Sequence, residues 1–174
     1  ERIRHVAHHD GLTGLPNRLL FNDRLQQAIS IAKRESRQFA LLFVDLDKFK
    51  PVNDALGHAA GDELLQLVAA RILRQVRESD TVARVGGDEF TVILPCIARC
   101  EDAQTVARKV IAALGLPFHL EARGQRVEIG ASVGIAVYPT DGNEVEALVR
   151  AADAAMYRAK QVGGCFRLYS DAAV

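Results

Sequence analysis

The chain has 174 residues, enough for one domain whose core is stable without disulfide or metal cross-links. Its 22 lysines and arginines balance 22 aspartates and glutamates, which excludes a global field that would attract nucleic acid or acidic lipid. Three cysteines without CxxC spacing argue against a disulfide framework and a zinc site, and favour a reducing cytoplasm. No apolar run reaches the ~18 residues of a membrane span, and the first residues lack a signal-peptide core.

Apolar residues recur with helical or strand periods along the chain. Because the chain lacks an initiator methionine, residues 1–9 are predicted to end a connecting helix from an upstream domain, and residues 10–174 to form the domain itself. Helices, the first capped by Asn17, are predicted over 19–33, 61–76, 102–114 and 144–160. Strands are predicted over 39–47, 127–139 and 166–170, and a hairpin over 81–95.

The order strand, helix, hairpin, helix, strand predicts a fold class. It matches an α+β fold with a ferredoxin-like βαββαβ core, and additional helices and strands lie at both ends. The helices are expected to cover one face of the sheet. This scaffold alone specifies no function, so function has to be argued from side chains.

Two acidic spots are expected to meet at one end of the sheet. Asp45 and Asp47 end an apolar strand, where a carboxylate needs a cation, a cap or solvent. The turn of the hairpin carries Asp88 and Glu89, and the hairpin can run beside that strand. Convergent acids with nothing basic between them suit Mg²⁺, which prefers one or two carboxylates plus substrate phosphates.

The paired glycines before these acids, Gly86 and Gly87, have two interpretations. They allow positive φ in the turn and let a nucleotide lie close to the backbone. Alternatively they form an ordinary hairpin turn whose acids point into solvent.

Seven segments, in order, resemble the GGDEF domain family of diguanylate cyclases, which condense two GTP molecules into cyclic di-GMP and release pyrophosphate. The resemblance extends over almost the whole chain and implies the palm-like version of the ferredoxin fold shared by nucleotidyl cyclases and polymerases. The segments are "DGLTGLPNR" (10–18), "FVDLDKFKPVND" (43–54), "GHAAGD" (57–62), "RESD" (77–80), "RVGGDEF" (84–90), "ASVGIAVYP" (131–139) and "ADAAMYRAK" (152–160).

The resemblance implies a metal-dependent reaction centre. Asp45 and Asp88 would hold Mg²⁺, or Mn²⁺ in its place, with the Leu46 carbonyl and Glu89 as further ligands. The metal would offset phosphate charge while the ribose 3′-hydroxyl attacks the α-phosphate. Asp88, with Glu89, is the candidate acceptor of the hydroxyl proton. Lys50 would supply positive charge for the phosphates, and the alternative is a solvated lysine.

The resemblance also implies a guanine-reading pair. Asn53 would meet the purine edge, and Asp62 would accept from the N1 and N2 donors, a pattern that adenine cannot satisfy. Asp62 has an alternative role as the N-cap of the following helix. His58 lies between them and either touches substrate or is structural.

Further implied roles concern the two ends of the chain. Lys160 would reach the terminal phosphates, but the chain departs from the common "GRN" pattern after it. Gly163, Gly164 and Cys165 stand there instead, which removes an arginine that could bind phosphate, and Arg167 would compensate weakly. The entry-segment residues are interpreted as fixing the incoming helix, namely Asp10, Thr13, Asn17 and Arg18.

A second site is implied upstream of the glycines. Arg77 and Asp80 have the spacing of the family's inhibitory site, where arginine matches guanine O6 and N7 and aspartate binds the other edge. Arg108, or Lys109, is the candidate for completing it. The alternative is a helix-end arginine followed by a turn-opening aspartate.

The product contains two equivalent halves, whereas the chain carries one acidic site. A homodimer with one GTP per copy is therefore expected, in the cytoplasm and regulated by an upstream sensor domain. A different class of function is a catalytically weak regulatory domain that binds GTP or cyclic di-GMP. A nucleic-acid binder is disfavoured because only 6% of residues are aromatic.

Overall fold

The computed structural model describes residues 2–173 and has strands and helices in the predicted order. Within these residues, no helix is both long and apolar enough to cross a lipid bilayer. The α-helices are α1 (Arg2–His8), α2 (Arg18–Glu35), α3 (Phe49–Leu56), α4 (His58–Arg74), α5 (Cys100–Leu114) and α6 (Val145–Val162). The strands are β1 (Gln38–Asp47), β2 (Thr81–Arg84), β3 (Glu89–Ile97), β4 (Phe118–Leu120), β5 (Gln125–Val127), β6 (Gly130–Tyr138) and β7 (Phe166–Leu168).

The main sheet has the order β2-β3-β1-β6-β7. Its first four members, with α4 and α5 as crossovers, are the ferredoxin-like βαββαβ core, so the predicted α+β fold is confirmed. The two neighbours of β1, which are β3 and β6, run antiparallel to it, and β7 adds a parallel edge strand beside β6. A separate two-stranded sheet joins β4 to β5.

Helices cover both faces of this sheet, so the prediction of a single covered face is wrong. Side chains alternate along β1, and one set, which includes Leu42 and Val44, packs in the cluster that contains α4 and α5. The other set, which includes Leu41 and Phe43, packs against α2 and α6. A strand that is apolar at nearly every position needs cover on both sides, and the terminal helices provide the second layer.

The close approach of α6 to the sheet depends on a glycine in β6. A Cβ added at Gly134 would lie 2.0 Å from the Ala152 carbonyl oxygen and 2.2 Å from the Met156 nitrogen. Only a residue without a side chain lets the helix backbone lie this near the strand. This contact sets the distance between the sheet and α6, the helix that carries Lys160.

Several predicted boundaries shift in the structure. The Asn17 cap is confirmed, because its Oδ1 accepts from the Leu20 nitrogen at 3.1 Å. Helix α3 was not predicted, since its apolar face is short, and Gly57 at φ 93° separates it from α4. The predicted strand 127–139 is two strands, because Val127 pairs with β4 and β6 begins at Gly130. The last strand ends at Leu168 rather than at residue 170.

Candidate active site

Backbone pairing brings the two acidic spots together at the end of β1. Asp45 faces Glu89 on β3 and Ser132 on β6 in the strand registers. The Leu46 nitrogen donates to the Asp88 carbonyl oxygen at 3.3 Å, which draws the hairpin turn against the strand end. The predicted convergence is therefore present.

A lysine lies among these acids, so the prediction that nothing basic stands between them is wrong. Lys160 Nζ lies 3.3 Å from Asp45 Oδ2 and 3.2 Å from Asp47 Oδ1. It also donates to the Leu46 carbonyl oxygen at 2.7 Å, across 114 positions of sequence. Helix α6 packs on the face of the sheet opposite to α4, and Lys160 lies in the last turn of α6. This packing places the Lys160 ammonium beside the carboxylates at the end of β1.

Asp45 remains an electrostatically unfavourable carboxylate despite this lysine. Its side chain is 17% exposed, and its Oδ1 is buried without a hydrogen-bond partner in the described part of the chain. Burial raises the Asp45 pKa to about 6, the charges of Asp88 and Glu89 add to the rise, and Lys160 offsets part of it. A buried carboxylate with a free oxygen needs a further cation, which makes it the reactive point of the cluster.

Glu89, on the neighbouring strand, also has a perturbed carboxyl. Burial raises its pKa, and the negative charges of Asp153 and Asp88 raise it further. Arg18 and Lys160 oppose the rise. A raised pKa makes a carboxylate a better proton acceptor than an ordinary glutamate.

The donors at this edge fit a magnesium ion that shares its ligands with phosphate. No three His, Cys, Asp or Glu side chains within residues 2–173 form a cage that could hold a metal alone. Mg²⁺ does not require such a cage, since one or two carboxylates plus phosphates suffice. The unpartnered Asp45 oxygen next to Asp88 fits that requirement, and the Leu46 carbonyl oxygen, which accepts one bond from Lys160, keeps a second lone pair.

The two glycines of the hairpin turn leave space around the acidic side chains because they have no Cβ. A Cβ added at Gly86 would lie 2.9 Å from Glu89 Oε2, so this position must be bare for Glu89 to take its place. Gly87 has no heavy atom within 4 Å of an added Cβ and leaves the outer side of the turn open. Neither glycine has positive φ, so that part of the prediction is wrong.

The entry segment clamps the same turn from its other side. The Arg84 guanidinium donates to Asp10 at 3.0 Å and to the Gly87 carbonyl oxygen at 2.9 Å. Asp10 Oδ2 also accepts from the backbone and hydroxyl of Thr13 at 2.8 and 2.7 Å. Although burial opposes it, these bonds from Thr13 and Arg84 hold the Asp10 pKa below its ordinary value. Arg18 adds a bond to the Val85 carbonyl oxygen at 2.9 Å.

The predicted guanine-reading residues lie where α3 meets α4, directly after β1. The Asn53 amide nitrogen is 3.5 Å from His58 Nδ1. A Cβ at Gly61 would lie 2.0 Å from Asn53 Oδ1, so this glycine accommodates the amide. Asp62 is exposed inside α4, which begins at His58, so its alternative role as an N-cap is wrong. Lys50 is exposed in the first turn of α3.

Arg77 and Asp80 lie away from this edge, at a separate cavity of about 200 Å³. Helix α4 ends at Arg74, so Arg77 does not belong to a helix end, and its backbone nitrogen donates to Asp80 Oδ2 at 2.8 Å. Burial raises the Asp80 pKa, and Arg77 opposes the rise. Lys109 lines the same cavity.

Arg108, the other candidate for this site, is not among the residues that line the cavity. Its guanidinium lies 5.2 Å from the centre of the Phe166 ring, on another side of α5. Neighbouring helical residues point about 100° apart, and here Arg108 lies on the side of α5 next to Phe166 whereas Lys109 lies on the side next to the cavity. The helical period would have predicted Lys109 rather than Arg108 only if the side of α5 that faces the cavity had been known.

Comparisons with known proteins agree with this geometry. A family model described as "Diguanylate cyclase, GGDEF domain" matches residues 7–165. Diguanylate cyclase TpbB of Pseudomonas aeruginosa is 48% identical over 95% of this chain and 38% of its own length. A solved TpbB structure comprising only the GGDEF domain superposes with a TM-score of 0.90, at 47% identity, over 93% of this chain and 94% of that one.

A ligand-bound structure is also similar. The coiled coil and GGDEF domain of DgcB from Caulobacter crescentus, in complex with c-di-GMP, has a TM-score of 0.87 at 29% identity, covering 96% of this chain and 88% of that one. The chain spans well under half of the length of curated TpbB. With the family model matched over most of its residues, this chain belongs to the GGDEF domain family of diguanylate cyclases.

Proposed function

We propose that this chain is a catalytic domain that condenses two GTP molecules into cyclic di-GMP and releases two pyrophosphates. The observation that carries the proposal is the buried, unpartnered Asp45 oxygen beside Asp88 at the end of β1. A buried carboxylate whose Oδ1 has no partner costs stability even with Lys160 beside its Oδ2, and a phosphate-bound cation would offset this cost. Similarity to TpbB, which is named a diguanylate cyclase, supports the same activity.

Asp45 and Asp88 would hold Mg²⁺, or Mn²⁺, with Glu89 and the Leu46 carbonyl beside them. The ion supplies positive charge to the phosphate oxygens when bound. Glu89, whose pKa is raised, or Asp88 would take the proton of the ribose 3′-hydroxyl. The 3′-oxygen then bonds to the α-phosphorus of the other GTP as the bond to pyrophosphate breaks.

The remaining site residues would bind and orient GTP. Lys50 and Lys160 supply cations for the phosphate chain, and both are basic groups at the β1 end of the fold. Asn53 and Asp62 read guanine, and His58 supports Asn53, from which it lies 3.5 Å. Selection of guanine over adenine follows because adenine lacks the adjacent N1 and N2 donors from which the Asp62 carboxylate would accept.

The reaction would require a homodimer, because one chain presents a single acidic edge. Two copies related by a two-fold axis bring two GTP molecules together, each held by one copy. Curated TpbB is much longer than this chain, which supports an upstream sensor domain reached through α1, with residues 10–174 as the catalytic unit. GTP is a cytoplasmic nucleotide, so we infer a cytoplasmic location.

Product would inhibit through the cavity of Arg77 and Asp80. The arginine fork can donate to guanine O6 and N7, and Asp80 can accept from the other edge. Lys109 in the same cavity would meet a phosphate of cyclic di-GMP. The c-di-GMP complex of the similar DgcB supports binding of this nucleotide by the fold.

Incubation with GTP and Mg²⁺, followed by chromatography, tests the activity. Wild-type protein, alone or held as a dimer by a fused coiled coil, should form cyclic di-GMP, and Asp88→Ala should form none. Asp23→Ala, which removes an exposed carboxylate on α2, serves as control. Binding of GTP without product, in the enforced dimer, would favour the regulatory domain instead.

Arg77→Ala tests the inhibitory cavity in the same assay. The variant should keep its initial rate while added cyclic di-GMP loses its inhibitory effect. Arg108→Ala is the matched control on α5, outside the cavity. Unchanged inhibition in Arg77→Ala would remove the assignment.

A further inference from the structure

We propose that Asp47 is a positioning residue that holds Lys160 and the turn after α6 at the phosphate side of the site. The inference rests on the proposed function, since it concerns how a substrate-binding lysine is placed. Asp47 stands two residues after Asp45, and the two carboxylates share the Lys160 ammonium but differ in their other hydrogen-bond partners. Because Asp45 has an oxygen without a hydrogen-bond donor and Asp47 has donors on both oxygens, we assign metal binding to Asp45 and positioning to Asp47.

Asp47 is saturated with donors, whereas Asp45 has a free oxygen. Ser132 Oγ donates to Asp47 Oδ1 at 2.8 Å and lies 3.1 Å from Oδ2. The Gly164 nitrogen donates to Oδ2 at 2.8 Å, and Lys160 Nζ lies 3.2 Å from Oδ1. A carboxylate with these three donors has little capacity left for a metal ion, so its charge serves the lysine and the turn.

The surroundings are shaped to this carboxylate. Ser132 is fully buried, so its hydroxyl depends on Asp47 for a partner. Gly163 and Gly164 have φ of 82° and 63°, values that favour glycine and that aim the Gly164 nitrogen at Asp47. A Cβ at Gly130 would lie 3.4 Å from Asp47 Oδ2, and one at Gly163 would lie 3.6 Å away. Small residues therefore surround the carboxylate on two elements.

The lysine needs an anchor that does not compete with the catalytic cation. Its three ammonium donors are shared by Leu46, Asp45 and Asp47. If Asp45 directs its charge to a metal ion, its contact with Lys160 weakens, and the contact from Asp47 remains. Without it the long lysine stem, which is 34% exposed, would sample solvent conformations. Asp47 thus keeps the ammonium at the acidic edge in the substrate-bound state.

The same bonds couple α6 to β1. Gly163 donates to the Ala159 carbonyl oxygen at 2.8 Å and ends the helix, and the next residue donates to Asp47. Lys160 and Gly164 are thus held by one side chain from two directions. The turn at 163–164 lacks the arginine of the common family pattern, which leaves this lysine as the cation whose placement matters most there.

A double-mutant cycle tests the assignment. Asp47→Asn keeps the size and an acceptor oxygen but removes the charge, and Lys160→Met removes the ammonium. We expect each to weaken binding of a non-hydrolysable GTP analogue with Mg²⁺ about tenfold, measured by calorimetry. In the Lys160→Met background, Asp47→Asn should cause no further loss, because it acts through the lysine. In turnover assays the KM for GTP should rise more than kcat falls.

Two controls separate positioning from general stability. Asp141→Asn makes the same change at a carboxylate that accepts from the Val137 nitrogen at 2.8 Å, and it should leave analogue binding unchanged. If Asp47→Asn does not fold by circular dichroism, Ser132→Ala replaces it in the cycle, with a smaller expected loss that again vanishes without Lys160. Losses that add independently, or wild-type affinity in Lys160→Met, would overturn the proposal.

The cycle also distinguishes this proposal from the enzymatic one. A wild-type protein that binds the analogue and makes no cyclic di-GMP contradicts the proposed activity but leaves the Asp47 and Lys160 coupling measurable. Activity with additive losses contradicts the positioning role alone.

Discussion

The hairpin turn at Gly86 and Gly87 lies between two carboxylates, Asp10 and Asp45, whose pKa values are shifted in opposite directions. Asp10 and Asp45 are exposed by 20% and 17%, respectively. Asp10 receives bonds from Thr13 and Arg84, and its pKa is lowered. Asp45 keeps an unpartnered oxygen, and its pKa is raised to about 6. Side chains of similar exposure therefore have opposite pKa shifts. At Asp10 the bonds from Thr13 and Arg84 outweigh burial, whereas at Asp45 burial and the charges of Asp88 and Glu89 outweigh the effect of Lys160.

The two groups make opposite contributions to stability as pH changes. The Asp10 pKa is lower in the folded chain, so its contribution to stability is full above the ordinary aspartate pKa of 3.8 and is lost as pH falls through the folded pKa. The Asp45 pKa is higher in the folded chain, so ionisation above about 6 costs stability, and the cost disappears as pH falls towards 3.8. At neutral pH the stabilising contribution of Asp10 and its donors therefore opposes the destabilising contribution of ionised Asp45.

Asp45→Asn should separate function from stability most strongly. Loss of the charge that holds the metal should lower formation of cyclic di-GMP at least about 100-fold. Removal of a costly ionised group should raise the free energy of unfolding by roughly 1–3 kcal/mol near pH 8. Product chromatography and urea unfolding measure the two effects. A variant that is both active and less stable would remove the contrast between the two carboxylates.

Asp10→Asn should act in the opposite direction on stability. The change leaves Arg84 without its ionised partner, and we expect the free energy of unfolding to fall by roughly 1–3 kcal/mol near pH 7. Activity should fall as well, because Arg84 also holds the Gly87 carbonyl oxygen. Urea unfolding checks the value, with Asp23→Ala on α2 as an exposed control. An unchanged unfolding midpoint would show that the clamp adds nothing.

Titration should reveal the sign of the Asp45 effect. The extra stability of Asp45→Asn over wild type should be full near pH 8, fall fastest below about pH 6 and approach zero near pH 4. The same series for Asp10→Asn should show its deficit persisting down to about pH 4. Urea midpoints measured over this range compare the two curves. An Asp45→Asn advantage that grows as pH falls would contradict the raised pKa.

Gly86→Ala should give the smallest effect and act through geometry alone. The added methyl would meet Glu89 Oε2 at 2.9 Å, and the flexible carboxylate would turn away. Turnover should drop about tenfold, while stability should change by less than about 1 kcal/mol. Gly87→Ala is the matched control, because its added Cβ has no neighbour within 4 Å. Equal losses in both variants would mean that backbone freedom, rather than space for Glu89, explains the glycines.

Local patterns in the sequence predicted much of the fold. The continuous apolar run of β1 marks a buried strand, and Asn17 precedes the periodic residues of α2 as a cap. The hairpin and the pairing of its second arm with β1 also follow from the element order. Helix α3 escaped prediction because its eight residues are too few to display a clear period.

The candidate site was predictable only where its residues are close in sequence. The motifs imply Asp45 and Asp88, and the strand register explains how they meet. Nothing in the local pattern indicates that Lys160 lies beside Asp45, since the distance depends on how α6 packs over Gly134. Asp47 illustrates the same limit, because Ser132 and Gly164 come to it from other elements.

The sequence by itself determined most of the helices and strands, the family and the residue types at the end of β1, because periodicity and motif spacing are local properties of the chain. The tertiary structure alone decided which acids are satisfied. Asp10 accepts a hydrogen bond from Arg84, and Asp47 is contacted by the donors of Ser132, Lys160 and Gly164. Asp45 keeps one oxygen without a hydrogen-bond partner. These differences arise from contacts across dozens of residues, and burial at those contacts sets both the pKa and the chemistry of each group.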